Sequence, residues 1–522
     1  MNKDNKKYYY FLLILFVFCV AKSFAVNVPD YDLWARLLVG QHFFETFSLM
    51  KSDIFSYTHT HFWYDHEWGS SVVFYGVLKL LGESGLTILK AVLIFFILFF
   101  INRTIIIRGV KSTTPNNILY YVITLLAMFH VLAGTIRCHL FTFLFFAIWI
   151  YLLERVRLGE KKWLYYFPLM MILWNNLHGG CVSGIGLLLI YTIGEFLNKK
   201  PVKDYLISMG LTCVATLINP YGIGYVFFLL KATTMKRPLI TEWKNSFDKH
   251  YLYDYLKYKF FLLVMTIVAM VNIAIARIAD SKLDKTKYIL LFVTAYLSIA
   301  HIKHQPFFII TAAIFLYDDF YSIFNSLIGK LKALLNISDK FVSDFVKTKE
   351  FIVCSLVVLL SIAYLIQTDG EMKITRIKYP IYAVEFVKRN DLTGNLFVNF
   401  TYGSYAAYKL YPKNLIVMDG RYEEVYDTDL INEMRDFHKV TNNNWDKIIK
   451  NYKTDVIIIE KDYPAFVKLK QDKKWTLVFS DRDFAVFVPS ASARLEYSLP
   501  PKHDWFYELN KFDHSVIFKK KY

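Results

Sequence analysis

The chain has 522 residues, 55% of them hydrophobic and 18% aromatic, with a mean hydropathy of +0.32. That balance excludes an ordinary soluble globular protein and fits a polytopic membrane protein. The formal charge of +17 does not call for nucleic acid, because the basic residues cluster in short segments between apolar runs, where the positive-inside rule puts them.

Three lysines within the first seven residues precede an apolar run at 8–25. The pattern is that of a signal peptide or a retained signal anchor, and the apolar runs that follow favour the anchor. Those runs lie at about 87–102, 118–134, 140–154, 163–175, 181–197, 204–218, 259–276, 286–300, 307–324 and 350–366. Together they predict about eleven spans, several shorter than the roughly 20 residues of a straight crossing. Alternate connections carry the bases, from Arg103, Arg108 and Lys111 through Arg155, Arg157, Lys161 and Lys162 to Lys347 and Lys349. Setting these inside makes the N-terminus cytoplasmic and everything after residue 367 extracytoplasmic. The five cysteines sit in or beside apolar runs without CxxC spacing, as small buried hydrophobes do.

The richest polar stretch is the first outer connection, residues 26–86. It holds Asp30 and Asp32, the run Asp65-His66-Glu67, and Trp34, Trp63 and Trp68. A D-x-D spacing lets two carboxylates converge on one divalent cation such as Mg²⁺ or Mn²⁺. Alternatively, one carboxylate acts as general base on an acceptor hydroxyl. Asp30, Asp32 and Glu67 are therefore the candidate catalytic acids, with Asp30 and Asp32 the candidate metal ligands and no other cofactor expected. A helical pattern follows Asp32, so helix capping is the plain alternative for one of the pair. His66 is a candidate phosphate ligand or electrophile. Position 70 is serine, so there is no zinc-type HExxH. P-loop, GxSxG and GxGxxG motifs are also missing from the sequence.

The later outer connections hold Arg137 and His139, then Asn176 and His178, then Glu242 and Trp243, then Lys303 and His304. Ionisable groups at membrane depth are costly and usually mark function. Arg137, His139, Asn176, His178, Glu242, Lys303 and His304 join His66 as candidate substrate-binding residues, and the cations suit a lipid-linked phosphate. A single histidine is more often structural; the shared side is the stronger signal. Residues 225–257 and 325–350 read as interfacial stretches without assigned chemistry.

From about residue 368 the hydropathy falls. Strand-like runs at 395–400, 414–418, 455–460, 475–480 and 484–488 alternate with helical patterns at 382–389, 405–410, 430–437, 445–451 and 463–469. This predicts a small α/β domain with a largely parallel sheet and an antiparallel hairpin at one edge. Met418-Asp419-Gly420-Arg421 follows a strand, where such sheets bind ligands; an Asp-Gly turn with a salt-bridging Arg is the plain alternative.

The segments PDYDLWARLLVGQHFFETFSLMKSDIFSYT and WYDHEWGSSVVFYGVL, followed by RCHLFTFLFFAIWIYLLE, WNNLHGG, NPYG and ITEW, resemble bacterial GT-C-type membrane glycosyltransferase-like proteins. NFTYGSYAAYKLYP and VMDGRYEEVY resemble the soluble tail of one branch of that family. The resemblance implies a GT-C-like helical membrane domain (1–367, with 26–86 as first outer loop) and an extracytoplasmic α/β domain (368–522). It also implies a polyprenyl-phosphate-linked sugar donor, a glycan, lipid or protein acceptor, and an essential acid in the first outer loop, carried over to Asp30 and Asp32. The expected place is the bacterial inner membrane. The alternatives from other classes are a non-catalytic scaffold for envelope glycans and a transporter or flippase; a transporter would set its charges at mid-bilayer, whereas here they gather at the outer rim.

Overall fold

A computed structural model describes residues 3–500 apart from 26, 110–119, 121–122, 129–135, 236, 238–239, 252–253, 336–354, 357, 369–371, 373 and 375–377. Most of the expected span at 118–134, the start of that at 350–366 and most of the expected interfacial helix at 325–350 lie outside the described residues. The chain divides into two compact units, one of Met1–Val26 with Thr87–Gly370 and one of Asn27–Leu86 with Glu371–Tyr522.

The first unit is helical. Among the described residues of the whole chain, four helices are long and apolar enough to cross a membrane: Trp68–Ile107, which begins in the second unit, His139–Arg157, Gly179–Leu197 and Leu256–Ile278. Ile302–Phe315 and Tyr317–Lys330, bent by 61°, make a fifth if joined, and Leu12–Ala25, Ile223–Thr234 and Val358–Gln367 are shorter apolar helices. Helix ends are tied by ion pairs. Arg157 meets Glu154 at 3.1 Å, Glu195 at 2.9 Å and Asp284 at 2.9 Å, and Tyr191 donates to Glu154 at 2.9 Å. Charges removed from water need such multiple partners.

The second unit holds a five-stranded sheet in the order β2-β1-β3-β5-β4, where β1 is Gly394–Phe397, β2 Asn414–Ile416, β3 Val456–Glu460, β4 Trp475–Ser480 and β5 Phe484–Pro489. β1 pairs in parallel with β2 and β3, and the β4/β5 hairpin adds antiparallel to β3. Helices Ile381–Arg389, Phe400–Leu410, Thr428–Lys439, Lys447–Asn451 and Pro464–Gln471 fall between the strands, near the positions the alternating pattern predicts. β3 reads Val-Ile-Ile-Ile with all four buried, as expected of a strand covered on both faces.

The 27–86 stretch belongs to this unit. Its helix Tyr31–Thr46 buries every residue from Leu33 to Gly40. A Cβ on Gly40 would lie 2.2 Å from the Ser71 carbonyl, so only glycine lets the helix Trp68–Ile107 approach there. That second helix breaks at Gly82, φ 67°, a conformation glycine adopts at little cost. Between the two helices the chain runs along the outer edge of β2. The Ile416 N–H donates to the Phe55 carbonyl at 2.8 Å, and the Tyr57 N–H to the Ile416 carbonyl at 3.1 Å. An edge that would otherwise expose unpaired backbone is thereby covered.

Arg421 locks this arrangement. Its guanidinium donates to both Asp419 oxygens at 2.8 and 3.0 Å, to Asp53 at 2.8 Å and to the Tyr426 hydroxyl at 3.2 Å. Burial works against the Asp53 charge, but Arg421, by charge and hydrogen bond, holds its pKa below the ordinary carboxylate value. Replacing Arg421 with Met leaves two buried carboxylates without their cation. The expected cost is about 3–5 kcal/mol, read as a lower thermal midpoint and faster protease cleavage within 47–64; an unchanged midpoint would show the cage to be dispensable.

Candidate active site

The residues around the first loop helix divide into two faces. On one, Trp34 is fully buried against Tyr379, Tyr405 and Tyr408, with ring centroids at 5.8, 5.2 and 5.4 Å. Lys378 and Tyr379 both donate to the Pro29 carbonyl, at 2.7 and 2.9 Å, and so fix the entry to the helix. Asp30 is the N-cap: its Oδ1 accepts the Asp32 N–H at 3.2 Å, which satisfies a backbone donor the helix leaves open.

Asp32 lies in the first turn, where the helix dipole favours negative charge. A Cβ on Gly420 would sit 3.2 Å from Asp32 Oδ1, so this carboxylate lies over the Asp-Gly turn after β2. One helical turn on, Arg36 donates to Asp65 at 2.6 Å and stands 3.6 Å from Glu67. Asp65 also accepts the Glu67 N–H at 3.0 Å. His66 lies between Glu424, at 3.3 Å, and Glu67, at 3.7 Å. Burial opposes its charge, but Glu424 and then Glu67 outweigh that and lift its pKa to about 9. His66 is therefore an imidazolium at neutral pH. Trp63 connects this group to the Arg421 cage, since Arg36 and Arg421 lie 5.5 and 4.9 Å from its ring centroid.

A second polar group lies in the helical unit. Arg137, just ahead of the helix His139–Arg157, forms a two-pronged pair with Glu242. Lys303 stands 3.4 Å and Arg237 4.4 Å from the Trp243 ring centroid. The rings of His301 and His304 lie 5.3 and 6.0 Å from Trp243. Backbone bonds from Ser246 to Ile299 and from Ile302 to Lys244, at 2.9 and 3.0 Å, pin the two segments. Arg137, Glu242, Lys303 and His304 are thus brought together.

Asn176 and His178 are engaged elsewhere. Asn176 donates to the Ile172 and Ile218 carbonyls at 2.8 and 2.9 Å. His178 Nδ1 accepts the Gly180 N–H at 2.9 Å and meets Thr142 Oγ1 at 2.8 Å. The His139 ring packs on Phe143 at 5.1 Å. Arg36, Glu424 and Arg237 complete these groups without having been singled out in the sequence. For Arg36 there was a signal, a lone base in the apolar run LWARLLVG.

Among the described residues no group of three or more His, Cys, Asp or Glu is arranged to hold a metal ion. Asp30 already spends one oxygen on the helix cap, so a D-x-D chelate would have to give that cap up.

No protein-family profile matches the sequence, and no curated protein matches it. Solved structures do match in fold. The apo oligosaccharyltransferase of Archaeoglobus fulgidus gives a TM-score of 0.55 at 8% identity, over 86% of this chain and 70% of that one. The same protein tethered to an acceptor peptide containing the NVT sequon gives 0.53 at 9%, over 86% and 69%. ArnT from Cupriavidus metallidurans bound to undecaprenyl phosphate gives 0.52 at 12%, over 94% and 99%. The fold is therefore GT-C-like.

With a folded-state pKa of about 9 against 6.5, His66 contributes its ion-pair stability fully below pH 6.5 and loses it as pH rises through about 9. Thermal midpoints should fall more steeply from about pH 7 to about pH 10 in the wild type than in His66→Gln. Parallel slopes would show that His66 carries no charge at neutral pH.

Proposed function

We propose, from the premise of a GT-C-like fold, that the chain is a multi-pass glycosyltransferase of the bacterial inner membrane. In this reading it has about eleven crossings, a cytoplasmic N-terminus and an extracytoplasmic C-terminal domain. It moves a sugar from a polyprenyl-phosphate-linked donor to an acceptor hydroxyl on the outer face. The acceptor oxygen bonds to the anomeric carbon while the bond from that carbon to the phosphate oxygen breaks. The lipid phosphate leaves with the electron pair, and the acceptor proton passes to Asp32.

The observation that carries this reading is Asp32 itself, an acid in the first turn of a capped loop helix with its carboxylate over the Gly420 turn. Arg36, His66 and Glu67 act as positioning residues for this segment. Within the helical unit, Arg137, Arg237 and Lys303 have the charge to hold an anionic lipid phosphate, and Trp243 the flat apolar surface to meet a lipid headgroup. The neighbouring ArnT structure holds undecaprenyl phosphate, and an acceptor peptide is tethered to the neighbouring oligosaccharyltransferase; both support a lipid-linked donor and a separate acceptor. A scaffold role is the second reading, favoured by the pairing of Asp65 and Glu67 with Arg36.

Comparing envelope glycans and lipids from cells that carry wild type or Asp32→Asn, at matched membrane levels, separates the two. A general base is worth about 10²- to 10⁴-fold, so Asp32→Asn should lose transfer on that scale. Wild-type transfer by this variant would sink the enzyme reading. Asp30 should behave differently. Asp30→Asn keeps the cap and the thermal midpoint, whereas Asp30→Ala loses about 1 kcal/mol of stability; equal midpoints would remove the capping role.

A further inference from the structure

The sheet of the second unit has a point where the chain reverses direction. From β1 it passes through the helix Phe400–Leu410 to β2 on one side, then returns to β3 on the other side of β1. In open α/β sheets the crevice at the C-terminal ends of the two strands flanking such a reversal is where ligands bind. Here those strands are β1 and β3. Asn399 follows β1, Glu460 ends β3, and the Asn399 amide donates to Glu460 Oε1 at 2.9 Å.

The other carboxylate oxygen faces a histidine. His438 Nδ1 lies 2.8 Å from the Met434 carbonyl, an acceptor only, so Nδ1 carries the proton and Nε2 is left as an acceptor. His438 Nε2 and Glu460 Oε2 stand 4.0 Å apart, with side chains only 5% and 12% exposed. Among the described residues neither atom has a hydrogen-bond partner. Burial lowers the pKa of His438 to about 4 and raises that of Glu460 to about 7, which keeps the imidazole neutral. Once Glu460 is ionised, two buried acceptors face each other and lack a donor, and buried polar groups are otherwise nearly always bonded. Each acceptor takes one O–H donor at about 2.8 Å, so a separation of 4.0 Å suits two neighbouring hydroxyls of one ring.

The walls of the crevice are aromatic and partly open. The Tyr463 ring lies 4.7 Å from that of His438, and Tyr402 lies 6.0 Å from Tyr31. All three tyrosines are half-buried. Tyr31 sits between Asp30 and Asp32, so the crevice adjoins the loop motif. Hydroxyl donors beside flat apolar faces are the chemistry of a sugar ring.

We propose that the ends of β1 and β3 form a carbohydrate subsite. Two neighbouring hydroxyls of one sugar donate there, one to Glu460 and one to His438, and Tyr31, Tyr402 and Tyr463 pack on the ring's C–H faces. The subsite deepens the transferase reading, on which it rests for one point, that the bound sugar is the acceptor; a glycan is then the acceptor class.

The test is binding of the full-length chain, in detergent, to a printed array of pentoses, hexoses, N-acetylhexosamines and their short oligomers. At least one sugar should be retained, with affinity reduced tenfold or more in Glu460→Gln and in Tyr463→Ala. The second variant alters a half-buried residue and keeps the test valid if the first fails to fold. No retained sugar, as for a crevice that holds water only, or equal affinity in wild type and both variants, overturns the proposal. The two readings fail separately. Loss of transfer in Asp32→Asn with undiminished sugar binding by Glu460→Gln sinks the subsite alone. Glu460-dependent sugar binding with full transfer by Asp32→Asn sinks the transferase alone.

Discussion

The geometry of the second unit depends on one guanidinium. Arg421 is 3% exposed, and its partners Asp53 and Asp419 are 0% and 1% exposed. Removing such ions from water costs several kcal/mol each even after relaxation, and only close, multiply bonded geometry offsets it. Asp419 follows β2, whereas Asp53 comes from the loop, so the cage decides where the loop lies on the sheet. The order then passes outward. Arg421 and Arg36 both lie against Trp63, and Arg36 holds Asp65 and Glu67. The segment that carries the candidate acids is therefore held by charge as much as by apolar packing. A small shift in the cage would move Glu67 and His66 with it.

The α/β portion was legible because its elements follow local rules. β3 is a run of β-branched residues, and the helices between strands carry apolar residues at helical spacing. Asp30 as a cap was legible in kind, since an Asp ahead of a helical pattern is a capping signal, but which of Asp30 and Asp32 caps is decided by backbone conformation. The partners of His66 and Arg421 were not legible. Glu424 and Asp53 lie hundreds of residues away from them in sequence, and periodicity carries no information over that distance. The expected span at 163–175 shows a different limit. Its first part is the 3₁₀ stretch Lys161–Tyr166, and the α-helix Phe167–Leu177 has 11 residues. Hydropathy averages over such breaks, so among the described residues apolar runs outnumber helices of full crossing length.

The helical unit shows why counting charges does not by itself locate a site. Arg157 was assigned to an inner connection by its sign, and together with Arg108 and Lys200 it matches Glu154, Glu195 and Asp284. That group is balanced and closed. At Trp243, by contrast, Arg237 and Lys303 lie against the indole ring while Arg137 pairs with Glu242. What each ion is paired with, rather than the number of ions, identifies a strut between helices.

The pairing of the loop with β2 bears on how the chain is made. Thr58 bonds to the Val417 carbonyl across 359 residues of sequence. At ribosomal rates that separation is roughly 20 to 70 s of synthesis, during which the Phe55–Tyr57 backbone has no strand to join. The helices between them have short-range partners and can pack as they emerge; the loop must wait for the last quarter of the polypeptide. A chain that stops before residue 414 therefore lacks the strand its loop pairs with, however well its helices have packed.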